Sequence, residues 1–89
     1  MKHVVKRGGR SEAYDERKVY ASVYKACLSV RESVETAELV ADRVSKDVTK
    51  WLAQKSEVSS RDIHTTVSKL LQALNEHAAF MYAHHRIIW

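Results

Sequence analysis

The apolar positions of this chain change period at Asp15. Before it, "HVVKR" and "SEAY" flank the paired glycines Gly8 and Gly9 as two short runs of strand-like composition, at the separation of a β-hairpin. Glycine allows the positive φ that such a turn needs, so the pattern predicts strands near residues 2–7 and 10–14. From Asp15 onward Val19, Val23, Cys27 and Val30, with Ala26 beside them, fall at helical spacing, and Asp15 is a good N-cap. Helix one is therefore expected over 15–30. Ala37, Val40, Val44, Val48, Trp51 and Leu52 make a second stripe and leave Glu38, Asp42, Lys46 and Lys50 for solvent, which predicts helix two over 34–53. "QKSEV" breaks that pattern. Ser59, with Asp62 three residues on, has the form of a capping arrangement ahead of Ile63, Val67, Leu70, Leu71 and Leu74, the apolar face of helix three. Asn75 can end that helix or cap the next, and "EHAAFMYAHHRIIW" reads as a final helix that is apolar on more than one face. Val58 can add a short third strand.

Together these elements predict an α+β fold, a short N-terminal β-hairpin packed on a four-helix bundle. A chain of 89 residues has room for one modest core, so residues 1–89 are expected to form a single domain. The lone cysteine, Cys27, excludes an intrachain disulfide framework and a multi-cysteine zinc site. Neither a signal-peptide core nor a membrane-length apolar run is present, which points to a soluble, cytoplasmic protein with no membrane partner. The net charge of +4 is concentrated near the start, where Lys2, Lys6, Arg7, Arg10, Arg17 and Lys18 face only Glu12, Asp15 and Glu16. A local positive patch suits a small phosphate-bearing ligand better than a long nucleic acid, whose affinity grows with the number of phosphates neutralised.

Lys6, Arg7 and Lys18 are the first candidate set. Lys6 and Arg7 point to opposite faces of an ideal strand, so both reach one anion only where the strand twists or ends; Lys18 emerges from the first turn of helix one. A helix N-terminus adds free amides and a positive dipole end, so a triphosphate between hairpin and helix would find both mobile and fixed donors. The competing reading is a solvated basic hairpin. Glu12, Tyr14 and Asp15 follow the turn: a carboxylate there can accept from the exocyclic amine of a purine, and a tyrosine ring can cover the base. Equally, Glu12 can pair with a nearby cation, Tyr14 can pack on the core and Asp15 can simply cap. Asp62 and His64, at i,i+2 spacing, point about 200° apart on an ideal helix, which argues against an Asp–His catalytic pair. They can meet different parts of one ligand, or Asp62 can serve the helix dipole with His64 at a polar surface. His77, His84 and His85 are too dispersed around a helix to share one metal, and no HExxH or Cys–His pattern supports one. Tyr20 and Tyr24 share a helix face and read as packing residues. No phosphate-cradling glycine loop, GxSxG or nucleophile–base set is present, and an enzyme is not expected.

"VVKRGGRSEAYDERKV", followed by "VSSRDIHTTV" and "AAFMYAHHRI", resembles the ATP-cone domain, the regulatory nucleotide-binding module of ribonucleotide reductases and of the repressors of their genes. The likeness runs over essentially the whole chain. It implies an allosteric site for ATP or dATP, with Mg²⁺, at which no chemistry is done. Position by position, Lys6, Arg7 and Lys18 match phosphate-binding residues, and Val4 and Val19 match apolar positions near the nucleotide. Glu12, Tyr14 and Asp15 fall where the family contacts the base. Ile63 and His64 match helix-three positions at the nucleotide, Asp62 an acidic position linked to telling ATP from dATP, and Arg86 a cationic residue near the end of the cone. Two departures stand out: Gly8 replaces the aspartate of the family's "KRDG" turn, and Asp15 replaces an asparagine found in some members, leaving an acceptor that cannot donate when ionised. The resemblance further implies a homo-oligomer or a protein partner such as a ribonucleotide reductase or regulator, with "FMYAHHRIIW" as the candidate interface. Read as a free-standing cone, the chain has two alternatives: a small nucleic-acid-binding regulator, and a degenerate cone kept only as an interaction module.

Overall fold

The computed structural model describes residues 3–5 and 11–84. Strand β1 is His3–Val5 and strand β2 is Ser11–Ala13, paired antiparallel with Val4 opposite Glu12. The predicted turn and the outer ends of both strands, at 6–10, lie outside the described residues. A third strand, β3, is formed by Val58–Ser59 as the sequence suggested. It pairs parallel to β1, with Val4 opposite Val58, which makes β1 the middle of the order β2-β1-β3. Residues directly opposite one another share a sheet face, so Glu12, Val4 and Val58 form one row. Val4 and Val58 in that row are buried, which turns it toward the helices.

Helix α1 spans Glu16–Ser29 and α2 spans Val34–Ala53, close to the periods that predicted them. Asp15 stands just outside α1 as its N-cap, and Ser33 caps α2 by accepting from the Thr36 amide. Between them the chain turns on Arg31, whose φ of 65° lies in the left-handed region. The Arg31 amide donates to the Leu28 carbonyl and the Glu32 amide to the Cys27 carbonyl, the paired closing bonds of a Schellman motif. Glycine is the usual occupant of that position because a Cβ is strained there. Helix α3, Ser60–Leu74, opens on a full capping box: the Asp62 amide donates to Ser59 Oγ at 3.0 Å and the Ser59 amide to Asp62 Oδ2 at 3.1 Å. Asn75 fills both roles open to it. Its amide donates to the Leu71 carbonyl at the end of α3, and its side-chain oxygen accepts from the Ala78 amide in the first turn of α4, Glu76–His84. The predicted continuation of α4 over 85–89 lies outside the described residues.

Helix α1 packs on α2 and α4, and α3 packs on the same two helices, closing a four-helix arrangement. Its interior takes Val19, Val23 and Cys27 from α1, Ala37, Ala41, Val44, Val48 and Leu52 from α2, Ile63, Val67 and Leu71 from α3, and Ala78 and Tyr82 from α4. Each large aliphatic or aromatic side chain enclosed in this way contributes about 1.5–3 kcal/mol of burial free energy. Two serines share the interior at no unmet polar cost, Ser22 donating to the Lys18 carbonyl at 2.7 Å and Ser45 to the Asp42 carbonyl at 3.1 Å. The aromatic terminal segment divides. Tyr82 belongs to the core, whereas Phe80 is 60% exposed and stacks on His84 at 4.0 Å. Among the described residues no helix is long and apolar enough to cross a membrane.

Candidate functional site

An open cleft lies where the inner row of the sheet meets the starts of α1 and α3. It is lined by Val4, Glu12, Ala13, Tyr14, Asp15, Lys18 and Ile63. The backbone explains this assembly: β2 leads through only Tyr14 and Asp15 into α1, and β3 leads directly into α3, so both helices begin beside the sheet. Val4 and Ile63, each almost wholly buried, make its apolar floor.

Polar groups of both signs stand above that floor. Lys18 projects from the first turn of α1 with its ammonium 3.9 Å from Glu12 Oε2, a loose and partly exposed pair. The Asp15 carboxylate is more firmly engaged. Oδ1 accepts from the Arg17 amide at 3.0 Å and from Arg17 Nε at 3.2 Å, and Oδ2 accepts from Arg17 Nη2 at 3.2 Å. The Arg17 guanidinium, and then its amide, hold the Asp15 carboxyl below the usual carboxylate range. Asp15 is thus an ionised acceptor with both oxygens already in use. Tyr14 lies half-buried along the cleft, and its hydroxyl meets Thr49 Oγ1 on α2 at 3.0 Å. Burial pushes its phenol above the ordinary value; the Thr49 hydrogen bond opposes this, and Glu16 and Asp15 add to the rise.

Of the residues anticipated from the sequence, Val4, Glu12, Tyr14, Asp15, Lys18 and Ile63 come together around this cleft. Val19 is sealed in the core and is not among the lining residues. Asp62 is exposed and committed to the capping box, where the Ser59 amide and then the Ser59 side chain hold its carboxyl low. His64 turns its ring onto Tyr82, with centroids 4.7 Å apart, and burial alone lowers its pKa. Lys6, Arg7 and Arg86 lie outside the described residues. Ala13 and Thr49 were not anticipated: Ala13 has no chemistry to flag it, and Thr49 is an exposed position on a helix remote in sequence.

The model of the ATP cone domain family matches residues 2–89. The chain belongs to the ATP cone domain family. Its similarity to known proteins extends to the transcriptional repressor NrdR of several bacteria. The Gloeobacter violaceus protein is 39% identical over 82 residues, covering 90% of this chain and 45% of that protein. The proteins of Desulforapulum autotrophicum and Geotalea daltonii are each 34% identical over 80 residues, covering 90% of this chain and 47% and 52% of theirs. The chain thus spans about half the length of the curated relatives it matches. An ATP cone is a nucleotide-binding regulatory module, and the cleft between its sheet and the helix starts is the described feature in which cation, carboxylate, aromatic ring and apolar floor converge.

Proposed function

We propose that this ATP cone binds ATP and dATP in the cleft as allosteric ligands and transmits their binding to a partner protein or a second copy of itself, without reacting with them. The observation that carries this reading is the lining of the cleft, which combines the two kinds of group a nucleotide needs. Lys18 serves the phosphates, together with Lys6, Arg7 and Arg86, the further cationic residues that the sequence offers for them. Glu12 accepts from the adenine amine, and the Tyr14 ring covers the base above Val4 and Ile63. In this reading Lys18 exchanges its loose contact with Glu12 for phosphate oxygens. Asp15, held by Arg17, shapes the base end more than it contacts it. Val19 supports the floor, and Asp62 and His64 flank Ile63 at the head of α3. Among the described residues no three His, Cys, Asp or Glu side chains gather to hold an ion, so Mg²⁺ would enter on the triphosphate and keep its oxygens as principal ligands.

Regulation follows from differential affinity: a nucleotide shifts the protein between two states only by as much as it binds one better. Calorimetric titration of the purified chain with ATP, dATP and GTP in the presence of Mg²⁺ tests the reading. Saturable adenine-nucleotide binding is expected, with Lys18→Ala weakening it by about tenfold, as loss of one charge-assisted phosphate contact implies. Absence of binding by the folded chain overturns it. The relatives' name, transcriptional repressor, favours a second reading in which a basic surface contacts DNA. Nucleotide-independent DNA binding that falls steeply with salt is its signature.

A further inference from the structure

Thr49 stands outside the cleft lining, yet its hydroxyl meets three groups, from the β2–α1 connection, the first residue of α1 and its own helix α2. It lies 3.0 Å from the Tyr14 hydroxyl, 2.7 Å from Glu16 Oε1 and 3.0 Å from the Ser45 carbonyl. A threonine hydroxyl has one proton to give and two lone pairs with which to accept. Glu16 Oε1 and the Ser45 carbonyl are both acceptors, so the Thr49 proton goes to one of them; the shorter contact, to a carboxylate, is the charge-assisted one. Tyr14 is then left as the donor to Thr49. The resulting chain runs from Tyr14 O–H through Thr49 O–H to Glu16, and it joins the β2–α1 connection to the C-terminal part of α2.

We propose that Thr49 is a positioning residue for the cleft: its hydroxyl fixes the Tyr14 ring along the cleft wall and takes up the tyrosine's only hydrogen-bond donor. A ligand therefore meets Tyr14 as a ring face and not as a hydroxyl donor. This deepens the nucleotide reading and rests on it, because a fixed flat ring is what covers a base with little loss of rotational freedom on binding. It also identifies α2 as the helix that holds the base-covering wall in place.

Two measurements on the full chain test this. In the nucleotide-free protein, NMR of ¹³C-labelled tyrosine rings should show a single fixed Tyr14 side-chain rotamer in wild type and in Thr49→Ser, and averaging between rotamers in Thr49→Val. Calorimetry with ATP should show Thr49→Val weakened roughly fivefold, the worth of one net hydrogen bond, with Thr49→Ser near wild type. Tyr14→Phe removes the same tether, so the Tyr14→Phe, Thr49→Val pair should lose no more than Tyr14→Phe alone. Since Thr49 is exposed, the variants should keep the wild-type melting temperature within a few degrees, which separates positioning from general destabilisation. A Tyr14 ring as fixed in Thr49→Val as in wild type overturns the proposal whatever the nucleotide result. Unchanged ATP affinity in Thr49→Val also overturns it. Loosening of Tyr14 in Thr49→Val, when the wild-type chain binds no ATP, refutes the nucleotide reading instead and leaves the positioning role standing.

Discussion

His64 lies one residue beyond Ile63 of the cleft floor, with its ring packed on Tyr82. Burial disfavours its imidazolium, so its folded-state pKa falls below the ordinary 6.5. The unfolded chain then binds more protons as the pH drops through that value, and stability present above it is progressively lost below. Thermal unfolding between about pH 7.5 and about pH 5 should therefore show a melting temperature that falls more steeply in wild type than in His64→Phe, which keeps the stack without the titration. Equal slopes would mean that His64 is as well solvated folded as unfolded. At this scale the sequence was most informative where chemistry and spacing agreed: Glu12, Tyr14, Lys18 and Ile63 carry distinct groups, and short connections bring them together. Thr49 was illegible for the opposite reason. Its partner Tyr14 is 35 positions away, and a threonine on a polar helix face carries no pattern to mark it.

The first two helices were legible to within a residue because their apolar period and caps are written locally, and the Ser59–Asp62 box was readable as a pair. The stop of α1 was placed to within a residue but its Schellman form was not signalled, since the usual sign of that turn is glycine and the chain places Arg31 there. The strain of a Cβ at that φ gives a prediction for the element. Arg31→Gly should stabilise the fold by about 0.5–1 kcal/mol, the gain from relieved strain less the added freedom of the unfolded chain. Urea denaturation would register it as a higher midpoint at an unchanged slope, and a lower midpoint would mean that the arginine side chain contributes more than its backbone costs. The parallel pairing of β3 was only half-readable: Val58 signalled a strand, but nothing in two residues specifies their neighbour or direction.

Across the whole molecule, the side-chain Nδ2 of Asn75 donates to Glu32 Oε1 at 2.8 Å, joining the α1–α2 turn to the α3–α4 junction. One side chain thus caps α4 and ties two halves of the bundle. Asn75→Ala should cost about 1–2 kcal/mol, from the lost cap and the lost contact to a carboxylate, with Asn75→Asp intermediate because it keeps the cap but sets its charge against Glu32. Chemical denaturation of the two variants distinguishes these contributions. The topology of the sheet has a different consequence, one in time. Its middle strand is β1, whose parallel neighbour β3 follows two complete helices. On a ribosome α1 and α2 can form and pack from local contacts while β1 still lacks β3, and closing so long a stretch of chain is the slower event. Val4 and Ile63 can face each other only after synthesis has passed α2 and entered α3, so a nascent chain would possess helices well before it possesses a cleft.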